Sequence, residues 1–391
     1  MKVLIISETY SAKENRKNIQ ALQTELEVEC IIPKKIWSPL HKTYFSEEGQ
    51  LLRNGVKSYP ILNIYGSQFI FLSKDLGLKK FNPHIINVEC NPWSLLFLQV
   101  LLYRWLFLKD AKLVCTVKKN TYESGRGIKK IIKNVLTKYT LKKVDHFICA
   151  SRIASDLYIN KLMVSMDKIS ISTHLGVDID LFKPDITARR IKKNNDYSIN
   201  IGYCGRFDAD KGILDLLAAI ESLNKNTANP IRLILLGDSA REQQTINQIL
   251  NYQRRYKWLE LRKSVPHESI PLFMHDLDLF VLPSIIKYDH QEHDAHVLLE
   301  AMACGVPCLG TKSGIITELL SSEPDCLVSP GHPEELACSI NKLISNPGRL
   351  VELSKYLRKR AEREFSIETI AKNRISIYKE IMLTSGYHNE I

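Results

Sequence analysis

Short apolar runs recur through the first half of the chain, at Lys2–Ile6, Val28–Ile32, His84–Val88, Lys112–Val117 and Asp145–Cys149. Each has the length of a buried strand. Helix-period segments separate several of them, which is the pattern of a parallel sheet with crossover helices. A polar, charged and aperiodic stretch, TARRIKKNNDYSIN, then interrupts the series and reads as a linker. The series restarts with Ile199–Cys204, a helix from about Ile213, and the strands Ile231–Leu236, Leu279–Leu282, Pro307–Gly310 and Cys326–Val328; Ser366–Met382 is again helical. This predicts an α/β protein of two Rossmann-like, doubly wound domains facing each other across a cleft. They span residues 1–186 and 199–366, with the linker at 187–198. The length of 391 residues agrees, because one core seldom grows that large.

Two helical segments of the first half stand apart. Trp93–Leu108 is almost wholly apolar, broken by Ser94, Gln99 and Arg104. It falls short of the ~20 residues that a membrane span requires, so it reads as a buried or interface helix, with membrane contact as the alternative. Gly127–Lys143 carries Ile128, Ile131, Ile132, Val135, Leu136 and Tyr139 on one stripe, and Lys129, Lys130, Lys133, Lys138 and Lys142 on its other face.

Charge sharpens this picture. Net charge is +11, and residues 1–190 hold 30 Lys+Arg against 17 Asp+Glu, while residues 191–391 hold 24 against 26. From Lys118 to Lys143 there are nine basic residues and one acid, Glu123. That stretch is either a solvated helix face or a surface for anionic lipid head groups, through residues 118–143. Nucleic acid is not expected, since no aromatic stacking platform accompanies the charge.

Composition (45% apolar, 25% charged) excludes disordered and collagenous classes. The nine cysteines are scattered and contain no C-x-x-C pair, unlike a disulfide framework or zinc knuckle. Met1–Ile6 runs straight into a strand, without a signal-peptide pattern. The expected setting is the cytoplasm, with peripheral attachment to the inner face of the cell membrane as an extension of the lipid-surface reading.

Three constellations in the second half can carry chemistry. An apolar strand empties into Gly205-Arg206-Phe207, followed by Lys211-Gly212 before a helix. Gly205 permits close backbone approach, and the two cations sit near a helix N-terminus, where an anion such as a diphosphate is stabilised. The strand DLFVLPS follows, stopped by Pro283. The third constellation is Glu292 and Glu300 within EHDAHVLLEAMACGVP, the second acid on a helix and the first in the preceding loop. Carboxylates in such an arrangement accept from the hydroxyls of an elongated ligand.

With HLGVDIDLFKP before them and TKSGIITELL and EREFS after, these motifs resemble, in order, a retaining glycosyltransferase of the GT-B fold, family 4 group. The resemblance covers essentially the whole chain and is most specific from His174 to Phe365. It implies that Arg206 and Lys211 hold a donor diphosphate, with Gly205 in the turn. Glu300 would accept from the ribose hydroxyls, and Glu292 would contact the transferred hexose as the catalytic acidic residue. Backbone N–H groups of His293, Asp294 and Ala295 and of Val297 and Leu298 would line the sugar and phosphate site, and Arg262–Val265 would flank the base. The implied activity is transfer of a hexose from a nucleotide-sugar to a glycan or lipid-linked acceptor in surface polysaccharide synthesis. No cofactor or metal is implied, because cations and a helix N-terminus serve the leaving diphosphate. The N-terminal domain would bind acceptor, and a helix at about 367–391 would pack back on it.

Departures from the family pattern lie on the sugar and acceptor side. His293-Asp294-Ala295 stands where Gly-Phe-Gly is frequent, Ser7–Asn18 has no glycine, and TVKKN stands where a histidine is frequent. Arg16, with Lys17 as its alternative, and Lys118 and Lys119 are the acceptor-side residues these changes nominate. The alternative they support is a non-catalytic GT-B subunit that binds a nucleotide-sugar or a partner enzyme. His290, His293 and His296 with Asp289 and Asp294 match no familiar zinc spacing, so no metal site is assigned.

Overall fold

A computed structural model describes residues 1–38, 43–46, 55–65, 68–122, 127–185, 199–225, 231–238, 242–287 and 291–384. It divides into two compact units: the described residues up to Gly176 together with those from Ile367 onward, and Val177–Ser366. The expected boundary at 186 falls inside the second unit. Val177 N–H donates to Phe365 O at 2.8 Å, and Val177 and Phe182 are buried in the second unit's core. The linker assigned to 187–198 lies outside the described residues.

In the first unit seven parallel strands lie in the order Ile169–Ile171, His146–Cys149, Lys112–Val117, Ile85–Val88, Lys2–Ile6, Glu27–Pro33 and Val56–Tyr59. The first strand in sequence is interior, beside the central Ile85–Val88, and later strands add on both sides, as in a doubly wound sheet. Both faces are covered, which is why these strands read as continuous apolar runs. Leu4 and Ile6 enter one core, with Phe97 and Val100 of the helix Leu95–Phe107. Val3 and Ile5 enter the other, with Ala371, Ile375 and Tyr378 of the helix Ile367–Leu383.

The three polar residues of the apolar segment each have a task. Ser94 caps the helix by accepting from Phe97 N–H, Gln99 exchanges hydrogen bonds with the backbone of Phe71, and Arg104 pairs with Asp145 at 2.8 Å. Among the described residues no helix is long and apolar enough to cross a membrane.

The amphipathic helix Ile128–Leu141 docks by an unexpected side. Thr137 and Thr140 are buried, whereas Ile128, Ile131, Ile132, Val135 and Tyr139 are exposed. The threonine hydroxyls donate to Lys133 O at 2.7 Å and Leu136 O at 3.0 Å, so they bury without orphaned donors.

The second unit holds six parallel strands in the order Leu259–Arg262, Arg232–Leu236, Asn200–Cys204, Leu279–Leu282, Cys308–Thr311 and Leu327–Val328. The order reverses between Asn200–Cys204 and Leu279–Leu282. The carboxyl ends of these two strands therefore form a switch point, where open α/β sheets collect ligands.

Candidate active site

Two loops leave that switch point, and glycine lets them touch. Gly212 has φ of +67°, and a β-carbon there would lie 1.9 Å from Pro283 O. Only a residue without a side chain tolerates both the left-handed backbone and the contact. Nearby, Ile285 N–H donates to Asp210 O at 3.0 Å. Gly205, with φ of +150°, opens the first loop directly after its strand.

Across this junction Lys211 and Glu292 meet. Lys211 Nζ lies 2.6 Å from Glu292 Oε2, with the two side chains 13% and 3% exposed. Ser284 Oγ donates to the same oxygen at 2.7 Å. The loop bearing Glu292 is fixed by its backbone. Its N–H donates to Ser313 Oγ at 3.3 Å, and its carbonyl accepts from Ile315 N–H at 2.9 Å. Lys211 stands one residue before Gly212, the N-cap of the helix Ile213–Asn224, whose positive end disfavours a cation unless an anion lies close. Glu292 supplies that anion here.

Arg206 is held differently. Its guanidinium bonds to Asp208 and lies 3.7 Å from Asp210, while its carbonyl accepts from the buried Tyr203 hydroxyl at 2.7 Å. Both nominated cations are thus matched by protein carboxylates, and both stand on the loop after the Asn200–Cys204 strand.

Glu300 is buried on the helix His296–Ala303. Its Oε1 accepts from His267 Nε2 at 2.8 Å, and His296 Nε2 lies 3.8 Å away. Of the backbone groups nominated around it, Leu298 N–H already donates to Ala295 O at 2.9 Å, and Ala295 is buried. Val297 and His293 are partly exposed and Asp294 is exposed. His293 Nδ1 lies 3.4 Å from Gln291 O. Arg262 is bound to Glu260 and Asp276, each at 2.7 Å. Asp289 and His290 lie outside the described residues.

The acceptor-side residues belong to the first unit. Arg16 donates to Tyr10 O at 2.9 Å, bracing the turn that follows the first strand. Lys118 Nζ lies 3.5 Å from Thr9 Oγ1, and Lys119 is exposed. At that unit's own switch point is a polar cluster that sequence reasoning did not nominate. Glu89 accepts from His174 Nε2 at 2.9 Å and from the Tyr10 hydroxyl at 3.2 Å, with Arg374 NH1 3.5 Å away. Burial pushes the Glu89 carboxyl up, but His174, Arg374 and Lys118 outweigh it and hold the group at about 2. Burial, then Lys118, lowers His174 below its ordinary value. A neutral imidazole with its proton on Nε2 fits the geometry, since buried Nδ1 then remains an acceptor only.

In the second unit, sequence reasoning also missed Ser284, Ser313 and His267. Ser284 was visible as the polar residue ending an apolar strand. His267 had no signal, because only folding brings it to Glu300. A lysine, a serine and a carboxylate at a switch point, with a histidine-flanked carboxylate on the following helix, suit a ligand that carries both anionic groups and hydroxyls.

The fold is that of GT-B glycosyltransferase structures. The chain superposes on sucrose-phosphate synthase from Thermosynechococcus elongatus with a TM-score of 0.71 and 19% identity, covering 98% of this chain and 100% of that one. HepE from Anabaena, in complex with UDP and glucose, gives 0.71 and 17%, covering 97% and 99%. Residues 185–364 match the family Glycosyl transferases group 1. The capsular polysaccharide biosynthesis glycosyltransferase CapM of Staphylococcus aureus is 25% identical over 70% of this chain and 71% of its own length. The phosphatidylinositol N-acetylglucosaminyltransferase GPI3 subunit of Saccharomyces cerevisiae is 27% identical over 65% of this chain, which spans only 54% of that protein.

Proposed function

We propose that this protein is a retaining, metal-independent glycosyltransferase of family 4 type. It moves a hexose from a nucleotide-sugar to a glycan or lipid-linked acceptor, on the cytoplasmic side, in the synthesis of surface polysaccharide or another glycoconjugate. The observation that carries this reading is the Lys211–Glu292 pair at the second unit's switch point, inside the segment matching Glycosyl transferases group 1. The names of CapM and of the UDP complex of HepE support the donor and product class.

In this reading Lys211 exchanges its carboxylate partner for the donor diphosphate and Arg206 joins it. Two cations and the end of the helix Ile213–Asn224 then oppose the charge that builds on the leaving group, which is the work a divalent metal does elsewhere. Glu292, released, accepts from hexose hydroxyls. Glu300, with one oxygen held by His267, receives the ribose hydroxyls. Val297 N–H and the backbone of His293–Ala295 border the sugar. Arg16, Lys118 and Lys119 serve the acceptor.

The test is turnover by the purified chain with UDP- and GDP-sugars, before and after chelation of divalent metals. Transfer that survives chelation and disappears in Lys211→Ala and Glu300→Ala, with thermal melts still cooperative, is the expected result. Binding of nucleotide-sugar without any turnover would instead establish a non-catalytic subunit. Near-normal turnover in both variants would reject the site.

A further inference from the structure

The first unit exposes an apolar stripe that its own core does not use. On the helix Ile128–Leu141, Ile128, Ile131, Ile132, Val135 and Tyr139 are 56–74% exposed. Single exposed apolar residues are ordinary, but five on one side of a 14-residue helix form a surface that water solvates poorly. Beside this helix lies a pocket of about 630 Å³. Lys138 of the helix, Lys142 just after its end, and Lys161 and Lys168 from the facing segment line it, with no carboxylate among the lining residues. Leu162 and Met163 complete its wall, and Met163 is 82% exposed.

Like charges gathered around a concavity repel one another unless an anion enters. The acid nearest in sequence, Asp167, accepts from Ser165 and bears on Lys168. Lys161 reaches Tyr122 O at 3.0 Å and Lys133 lies over the Tyr122 and Trp93 rings, so the base of this region is ordered.

We infer that this helix and pocket form a docking surface for an anionic lipid bilayer. The isoleucine stripe enters the interface between head groups and acyl chains, and the lysine pocket takes a lipid phosphate. Charge complementarity selects the occupant, since lysines flank the apolar stripe. The helix then lies in the plane of the membrane and does not span it. The inference concerns the first unit, whereas the switch-point site belongs to the second, and it does not rest on the activity proposed above.

The test is flotation of the purified chain, without substrates, on vesicles of phosphatidylcholine alone and of phosphatidylcholine mixed with phosphatidylglycerol. Binding to the mixed vesicles only, weakened by added salt, is expected. Lys138→Gln, Lys142→Gln and Lys161→Gln together should weaken it roughly a hundredfold, because each lysine near an anionic surface contributes about fivefold. Ile131→Ser, Ile132→Ser and Val135→Ser together should abolish retention with the lysines intact. These side chains are exposed, so thermal melts should match the parent. Equal binding to both vesicle types overturns the proposal, as does full binding by the serine variant. Vesicle binding abolished by glycerol phosphate alone, with no effect of the serine substitutions, would reassign the pocket to a soluble phosphate ester. Concentration-dependent dimers that vanish in the serine variant would give the stripe to a second copy of the chain instead. Failure here leaves the transferase test untouched, because no sugar is present in the assay.

Discussion

Lys211 Nζ and Glu292 Oε2 lie 2.6 Å apart although 81 residues separate them in the chain. Both side chains are largely buried. Removing one partner from a buried pair strands the other charge, at a typical cost of ~3–5 kcal/mol, whereas removing both is far milder. Lys211→Met should therefore lower the melting temperature more than Lys211→Met combined with Glu292→Gln. Calorimetry on the single and double variants checks this. Additive losses would mean that the pair is not coupled.

Gly212→Ala should destabilise the second unit whatever its effect on catalysis. Its β-carbon would meet Pro283 O at 1.9 Å, and its φ of +67° is strained for alanine. Strain of this kind costs ~1–3 kcal/mol, and the collision adds to it. Urea denaturation should show a clear fall in the midpoint.

His267 acts on Glu300 and touches no reacting atom in the proposed scheme. His267→Ala should raise KM for the nucleotide-sugar by about tenfold and leave kcat nearly unchanged, as expected when uniform binding is lost. A fall in kcat at constant KM would contradict a positioning role.

The Glu89 cluster sets a direction for acid sensitivity. His174 is lowered from 6.5 and Glu89 from 4.5 to about 2, so the folded chain binds fewer protons than the unfolded chain below about pH 6.5. Stability is therefore full above that pH and declines as pH falls, first through His174 and then through Glu89. His174→Gln should flatten the upper part of the decline, read as denaturation midpoints across the acid range. An unchanged slope would remove His174 from the account.

All nine cysteines are free thiols, and only Cys338 is exposed. Burial pushes Cys304 and Cys326 up to about 12 and raises Cys30, Cys115 and Cys308 well above the ordinary thiol value. A thiol kept protonated and dry reacts slowly. A disulfide reagent should modify Cys338 at once, and the buried thiols only after denaturant is added.

Much of this architecture was legible because strands buried on both faces leave continuous apolar runs, as Lys2–Ile6 and Leu279–Leu282 do. Val56–Tyr59 was not legible. An edge strand reading VKSY places lysine and serine side by side between Val56 and Tyr59 and falls below a run-based signal. The carboxylates Glu292 and Glu300 were legible from spacing and motif, but their companions Ser284 and His267 come from separate elements and carry no local pattern. The stripe on Ile128–Leu141 is legible as a stripe. Periodicity reports that two faces differ and does not say which one docks, and here hydroxyls bonded to their own helix allowed Thr137 and Thr140 to turn inward.

The return of Ile367–Leu383 to the first unit has a consequence for biosynthesis. A ribosome releases all of Val177–Ser366 before it makes the helix that supplies Tyr378 to the first core and Arg374 to Glu89. The opening half of the nascent polypeptide must wait, with one side of its sheet covered only in part by the helix Arg16–Leu22, while the continuous middle portion can mature. A recombinant fragment cut after Ser366 should consequently need a chaperone or aggregate, whereas the middle portion expressed alone has the makings of an autonomous module.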